Sequence, residues 1–407
     1  MGYTKEAIRG ASWLGAFKIF ARTLSFLRII IIARILSPSQ FGVYGVATLV
    51  LALIEILTET GINIFLVQKK EHAENYLSTA WIVSILRGFL ISLVIFSSSF
   101  FVAGFFKSQE VLPLLMLISL VPAIRGFINP SIVYFQKNLN FHKEFYYRSS
   151  VFLIETVISI LCVIVLKDPI ALIYGLIGGS IFEVIISFLF VKPRPDFKFK
   201  KQLFSEIISS GKWVTASGIF TYLFLNADNI VVGRVLGTAS LGIYDMAYSI
   251  AILPISEVSD IVLRVTFPVY VRISEEKERL KKAYIKTTLL IAVLVLPVLF
   301  LFLVFPEQLI LLFLGRQWTD AADILKVLAI FAVISTIGST SSAVFYAVKK
   351  QKYVTIISAI SFVVMITSII PLISAFGLVG AGIAVIFGSI SATPFVVYYL
   401  LKVFSEK

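Results

Sequence analysis

Cysteine is nearly missing: Cys162 stands alone in 407 residues, so no internal disulfide forms and nothing about an oxidising compartment follows. Histidine is almost as scarce. His72 and His142 lie in different polar connections, without cysteine or carboxylate at ligand spacing, which argues against a metal site. A phosphate-cradling loop is missing too, since Gly211-Lys212 lacks the upstream glycine and the following Ser or Thr that hold a nucleotide and its magnesium. Primary ATP hydrolysis by this chain is thereby disfavoured. No nucleophile-elbow pattern occurs, and no serine within an apolar stretch can be matched with a histidine or aspartate, so an enzyme reading has little support. Charge itself is thin, at 14% of residues against 58% hydrophobic. That balance holds more apolar side chain than one water-soluble core encloses, and it points to the bilayer as solvent.

A window of roughly 19 residues finds about twelve apolar segments long enough to cross a hydrocarbon layer of roughly 30 Å as helices. They are expected near 8–36, 41–66, 77–106, 111–135, 146–166, 169–191, 209–236, 241–271, 284–305, 323–348, 353–374 and 377–401. The formal net charge of +13 suggests a nucleic-acid partner only until its distribution is read. Lys69, Lys70, Lys192, Arg194, Lys200, Lys281, Lys282, Lys349 and Lys350 fall in alternate connections, whereas the opposite ones hold only Lys107, Lys167 and Arg316. The positive-inside rule then puts both termini in the cytoplasm, with an even number of spans and no nucleic acid involved. The N-terminus lacks a short apolar core with a small-residue cleavage site, so its first apolar segment is expected to stay as a helix.

The chain repeats itself. Trp13 to Leu53 recurs, altered, as Trp213 to Leu253: Ile19 and Phe20 match Ile219 and Phe220, Arg34 matches Arg234, and Gly42, Tyr44 and Ala47 match Gly242, Tyr244 and Ala247. Each copy reads as helix, polar turn, helix. Gly175 to Ile181 and Gly377 to Ile383 extend the repeat, with small residues spaced for close helix packing. The expected architecture is an all-α polytopic membrane protein of two six-helix lobes, 1–191 and 203–407, joined by a basic cytoplasmic linker at 192–202. Ser274 to Lys282 resembles a capped amphipathic turn, an orienting charge cluster more readily than a grip on anionic headgroups.

Ionised side chains are expensive in hydrocarbon, so those inside the spans face partners or a watery cavity. Lys18, Arg22 and Arg28 share one side of the first span, and Tyr44, Thr48, Glu55 and Glu59 do the same on the second. Tyr222 and Asp228 lie on the seventh, with Asp245, Tyr248, Glu257 and Asp260 on the eighth. A guanidinium fork suits a phosphate, so Arg22 and Arg28, with Lys18, are candidate anion-binding residues; pairing with Glu55 and Glu59 is the structural alternative. Tyr44, Tyr222, Tyr244 and Tyr248 are candidates to stack sugars, packing against other helices being the commoner use of such rings. Glu55, Glu59, Asp228, Asp245, Glu257 and Asp260 are candidates for coupling to Na+ or H+, or for gating; no other cofactor is expected.

Three stretches carry a family resemblance: Ala33 to Tyr44 (Ala-Arg-Ile-Leu-Ser-Pro-Ser-Gln-Phe-Gly-Val-Tyr), Phe135 to Lys143, and Asn226 to Gly233 continuing through Gly237, Leu241 to Tyr244, Ala247 and Pro254. With Phe267-Pro268 and Gly377 to Gly380 they span nearly the whole chain, which resembles the polysaccharide exporters and lipid-linked oligosaccharide flippases of the superfamily that includes multidrug extrusion transporters. The resemblance implies export of a polyprenyl-diphosphate-linked sugar unit across a bacterial inner (cytoplasmic) membrane by alternating access. It implies the diphosphate near the basic residues of the first lobe, membrane lipids as surroundings, and a polysaccharide polymerase and glycosyltransferases as partners. Many relatives carry fourteen spans against the twelve expected here. The alternatives are a cation-coupled multidrug efflux transporter and a membrane assembly subunit without transport of its own.

Overall fold

A computed structural model describes residues 2–58, 74–200, 218 and 222–405 of the chain, and no strand occurs among them. The described residues form two compact units, 1–226 and 227–407.

In the first unit, α1 (Gly2–Ala33) and α2 (Pro38–Leu57) make the first hairpin of the repeat. Its turn is set by a capping box: Gln40 N donates to Ser37 Oγ (3.4 Å), and Ser37 N donates to Gln40 Oε1 (2.9 Å). Pro38 occupies the first helical turn, where its missing N–H costs nothing. Then follow α3 (Glu74–Phe105), α4 (Val111–Ile118), α5 (Leu120–Gly126), α6 (Val133–Lys137), α7 (Phe141–Leu166) and α8 (Ile170–Phe190). α1 lies along α7, with the Trp13 and Phe145 rings 5.2 Å apart. Small residues bring α3 and α5 together, since a Cβ at Gly88 would stand 2.4 Å from the Pro122 carbonyl oxygen.

The stretch expected as one span near 111–135 is broken instead. Val111–Gly126 and Pro130–Lys137 meet at 69°. Pro130 cannot supply an interior helix N–H, and the Asn129 side chain caps the short 3-10 turn that follows by accepting from Ser131 N (2.9 Å). Non-helical backbone at membrane depth is tolerated where protein satisfies it. Here Trp81 Nε1 donates to Phe127 O (3.0 Å), and Asn129 N donates to Ser187 Oγ (3.0 Å).

The second copy of the hairpin is helical over 222–236 (α9) and Thr238–Arg272 (α10). Gly237, at the position that matches Ser37, makes the turn with φ +88° rather than with a side-chain cap. Within the second unit, α11 (Lys277–Val304), α12 (Pro306–Phe313), α13 (Ala321–Ala347) and α14 (Gln351–Ser405) complete the fold. Hydroxyls stitch it across helices: Ser259 to Ser339 (2.7 Å), Tyr284 to Ser341 (3.0 Å) and Thr288 to Thr340 (3.0 Å). At 55 residues α14 runs roughly 80 Å at the helical rise, far beyond one hydrocarbon layer. It breaks at Gly377 (φ +58°, ψ −138°), between the two segments expected to end at 374 and begin at 377.

Seven described helices are long and apolar enough to cross a membrane, or eight with the bent pair counted as one span. α1 and α10, at 32 and 35 residues, have the length but carry charges along it.

The break in α14 generates a test. A Cβ at Gly380 would lie 2.0 Å from Leu372 O, whereas one at Gly338 in α13 meets nothing within 4 Å. Gly380→Ala is expected to destabilise the second unit by about 1–3 kcal/mol through overpacking. Gly338→Ala is expected to be neutral or stabilising by up to about 1 kcal/mol. Thermal unfolding of both variants in detergent measures the difference.

Candidate functional site

The first unit concentrates its charges between helices. Arg28 of α1 and Glu155 of α7 form an ion pair at 2.9 Å, with side chains only 14% and 13% exposed. Glu155 reaches that position because α8 presents glycine to it: a Cβ at Gly179 would stand 2.8 Å from Glu155 Cβ, and one at Gly175 3.0 Å from Glu155 O. The backbones approach, and the carboxylate is squeezed toward α1.

A looser pair lies alongside the broken segment. Arg125, in the last turn of α5, donates from Nε to Ser180 Oγ (3.1 Å) and points Nη1 at Glu55 at 3.8 Å, both side chains about one-third exposed at 36% and 34%. Arg87 Nη2 donates to the Glu55 backbone carbonyl (2.7 Å). Tyr147 OH donates to Glu183 Oε1 (3.4 Å), and Arg125, Arg148 and Glu155 all act electrostatically on that carboxylate. Buried Glu144 accepts from Arg148 Nε and Gln136 Nε2, each at 2.8 Å. The result is a network of three carboxylates, Glu55, Glu155 and Glu183, laced with guanidinium groups. Such a site can exchange an internal carboxylate for an external anion wherever the internal pair is loose and wet.

The residues singled out from sequence fall in several places. Arg22 is exposed and Lys18 half-buried on α1. Arg28 pairs with Glu155 of α7, an acid at contact distance, which the sequence did not single out as its partner. Glu59 lies outside the described residues. Half-buried Tyr44 packs on the apolar cluster of Ile32, Leu36, Val163, Ala171 and Leu172, and Tyr222 spends its hydroxyl on Leu49 O (2.6 Å).

In the second unit Asp228 is buried on α9. Its Oδ2 accepts from Tyr244 OH (2.9 Å) and its Oδ1 from Asn229 N (2.9 Å), while buried Asn229 Oδ1 has no hydrogen-bond partner among the described residues. Tyr248 stands between Tyr244 and Phe331, each ring centroid 6.3 Å away. Asp245 and Asp260 are exposed and Glu257 half-buried. Among the described residues no three His, Cys, Asp or Glu gather as a metal site. Glu155, Arg125, Glu183, Ser180 and Tyr147 are not among the residues singled out from sequence. The glycine run at 175–179 was the available signal, since glycines on one helix marked where a neighbouring acid would be pressed inward.

Fold and site together define a class: an all-helical, multi-pass cell-membrane protein with compensated charges deep between its helices. Within that class, the profile of the polysaccharide biosynthesis protein family matches residues 31–323, and the chain belongs to that family. It is 24% identical over 352 residues to the lipopolysaccharide biosynthesis protein WzxC of Escherichia coli, covering 83% of this chain and 69% of that protein. It is likewise 24% identical over 357 residues to the teichuronic acid biosynthesis protein TuaB of Bacillus subtilis, covering 84% and 72%. In fold it is similar to the lipid II flippase MurJ in an inward closed conformation, with a TM-score of 0.73 at 16% identity over 96% of this chain and 88% of that one.

The two interior arginines are expected to differ in stability. Arg28→Ala strands Glu155 and should cost about 3–5 kcal/mol, most of it regained in the Arg28→Met, Glu155→Leu double variant. Arg125→Ala, losing a long and wet pair, should cost no more than about 1 kcal/mol. Unfolding midpoints of the purified variants check both.

Proposed function

We propose that this chain is a flippase, not an enzyme, that moves a polyprenyl-diphosphate-linked oligosaccharide across the cytoplasmic membrane. Membership of the polysaccharide biosynthesis family carries this reading, supported by a fold similar to that of a lipid II flippase. The transport unit would have twelve spans in two six-helix lobes, 1–191 and 203–407, connected through 192–202, with both termini cytoplasmic and alternating access between the lobes. Basic residues of the first lobe would hold the diphosphate.

Those residues would take different roles. Arg28 is committed to Glu155 and holds α1 against α7. Exposed Arg22, with Lys18 one turn away, is proposed to meet the anion, since a guanidinium fork matches two phosphate oxygens. Buried Asp228, with Asp245, Glu257 and Asp260 on the next helix, would couple movement to a cation gradient or gate it. A second reading, a cation-coupled efflux transporter, draws on that same buried aspartate.

The test is the leaflet that holds the lipid-linked oligosaccharide in membrane vesicles from cells depleted of this protein, read by an impermeant glycosidase. Depletion should confine the lipid to the cytoplasmic leaflet. The intact chain should restore it to the outer one, and Arg22→Ala should slow that restoration at least about tenfold, a loss of ~1.4 kcal/mol or more of binding to the moving state. An unchanged leaflet distribution would sink the flippase reading.

A further inference from the structure

Residues 191–200 leave α8 as non-helical chain laid over the first unit and held there at many points. Buried Asn129 donates from Nδ2 to the carbonyl oxygens of Ser187, Val191 and Pro193, each at 3.3 Å, and Ser131 Oγ donates to Pro193 O (2.6 Å). Further along, Asp196 N donates to Ser78 Oγ (3.0 Å) and Lys200 N to Thr79 Oγ1 (3.3 Å). The Phe197 ring packs on buried Trp81 at a tilt, with centroids 4.6 Å apart. Val191 and Pro195 turn inward as apolar pegs, while Lys192, Arg194, Lys198 and Lys200 are all exposed.

The outward face is unusual in chemistry as well as in rigidity. It sets four basic side chains against a single acid, Asp196, and mixes them with aromatic rings left largely bare: Phe190 at 77% exposed, Phe197 at 75% and Phe199 at 51%. Bare phenylalanine rings are costly in water and at home at a membrane surface, where rings enter the headgroup layer while cations stay among the phosphates. The strap begins where α8, apolar and 21 residues long, ends with Leu189 and Phe190 uncovered, so it starts at the membrane–water boundary. The Asp196 carboxylate accepts from Lys198 Nζ (2.9 Å), an exposed ion pair within the stripe.

We propose that this strap is a binding site for the headgroups of anionic phospholipids, with Lys192, Arg194, Lys198 and Lys200 meeting the phosphates and Phe197 and Phe199 entering among the acyl chains' upper carbons. Positive charge fixed close to an anionic leaflet gains from its surface potential, and prior anchoring of the backbone removes most of the entropy cost of lining the cations up. A basic stretch that served only to orient the chain in the membrane would require neither the anchoring nor the rings.

The test uses the full chain in nanodiscs, with Phe197→Trp as reporter and the emission of the parent protein subtracted. Brominated phosphatidylglycerol is expected to quench the reporter to half its limit at a mole fraction at least about threefold lower than brominated phosphatidylcholine, and 0.5 M salt is expected to shrink that preference. Replacing Lys192, Arg194, Lys198 and Lys200 together by Gln should abolish the preference while the unfolding midpoint stays within about 2 °C of the parent, a shift too small for a lost packing interaction. Equal quenching by the two lipids, or a preference surviving in the Gln variant, would overturn the proposal. Absence of quenching by either lipid would also overturn it, placing the stripe in water where an acidic protein is the fitting partner.

Discussion

Hydrocarbon offers no water to a charge, and the rest of this structure depends on that constraint. Every arginine or carboxylate carried into a span must meet its opposite or a wet cavity, and the helices of the first unit are arranged accordingly. Arg28 and Glu155 satisfy each other at 2.9 Å and pin α1 to α7. Arg125 is steadied by Ser180 at one nitrogen and faces Glu55 at 3.8 Å, each side chain about one-third exposed at 36% and 34%. The same constraint explains why the bend at 111–137 is allowed: Trp81, Ser187 and Asn129 take up the backbone groups that the break releases.

Much of the fold was legible because its signals are local. Ser37-Pro38 with Gln40 announces a capped turn, and the repeat places Gly237 at the corresponding corner, where a positive φ does the work of a side chain. Gly377 was readable as a helix boundary, although its neighbours continue the helical pattern on both sides. Segments such as 77–106 and 146–166 were readable from apolar length alone, and the helices Glu74–Phe105 and Phe141–Leu166 lie where they were expected.

What was not legible depends on contacts distant in the chain. Arg28 and Glu155 are 127 residues apart, and helical spacing brings Arg28 toward acids on its own hairpin instead. The glycines of α8 let that helix approach α7 closely where Glu155 sits. The break near Asn129 was hidden by an apolar run that exceeds one span in length, though Pro113, Pro122 and Pro130 all lie in it. Residues 192–202 read as a linker from their prolines and charges; the side chains that fasten its described part, Ser78, Thr79, Asn129 and Ser131, carry no motif. Residue type alone did not announce that half-buried Tyr44 packs on an apolar cluster or that Tyr222 donates its hydroxyl to Leu49 O.

Recognition of an anionic headgroup by the basic side of α1 is the central claim, and calorimetric binding of a short polyprenyl diphosphate to the purified full chain tests it most directly, with the matching uncharged polyprenol as control. The account predicts that the diphosphate binds at least about tenfold more tightly than the alcohol, equivalent to ~1.4 kcal/mol, and that Arg22→Ala removes most of that advantage. Equal binding of the two lipids, or an advantage unchanged by the substitution, would contradict it.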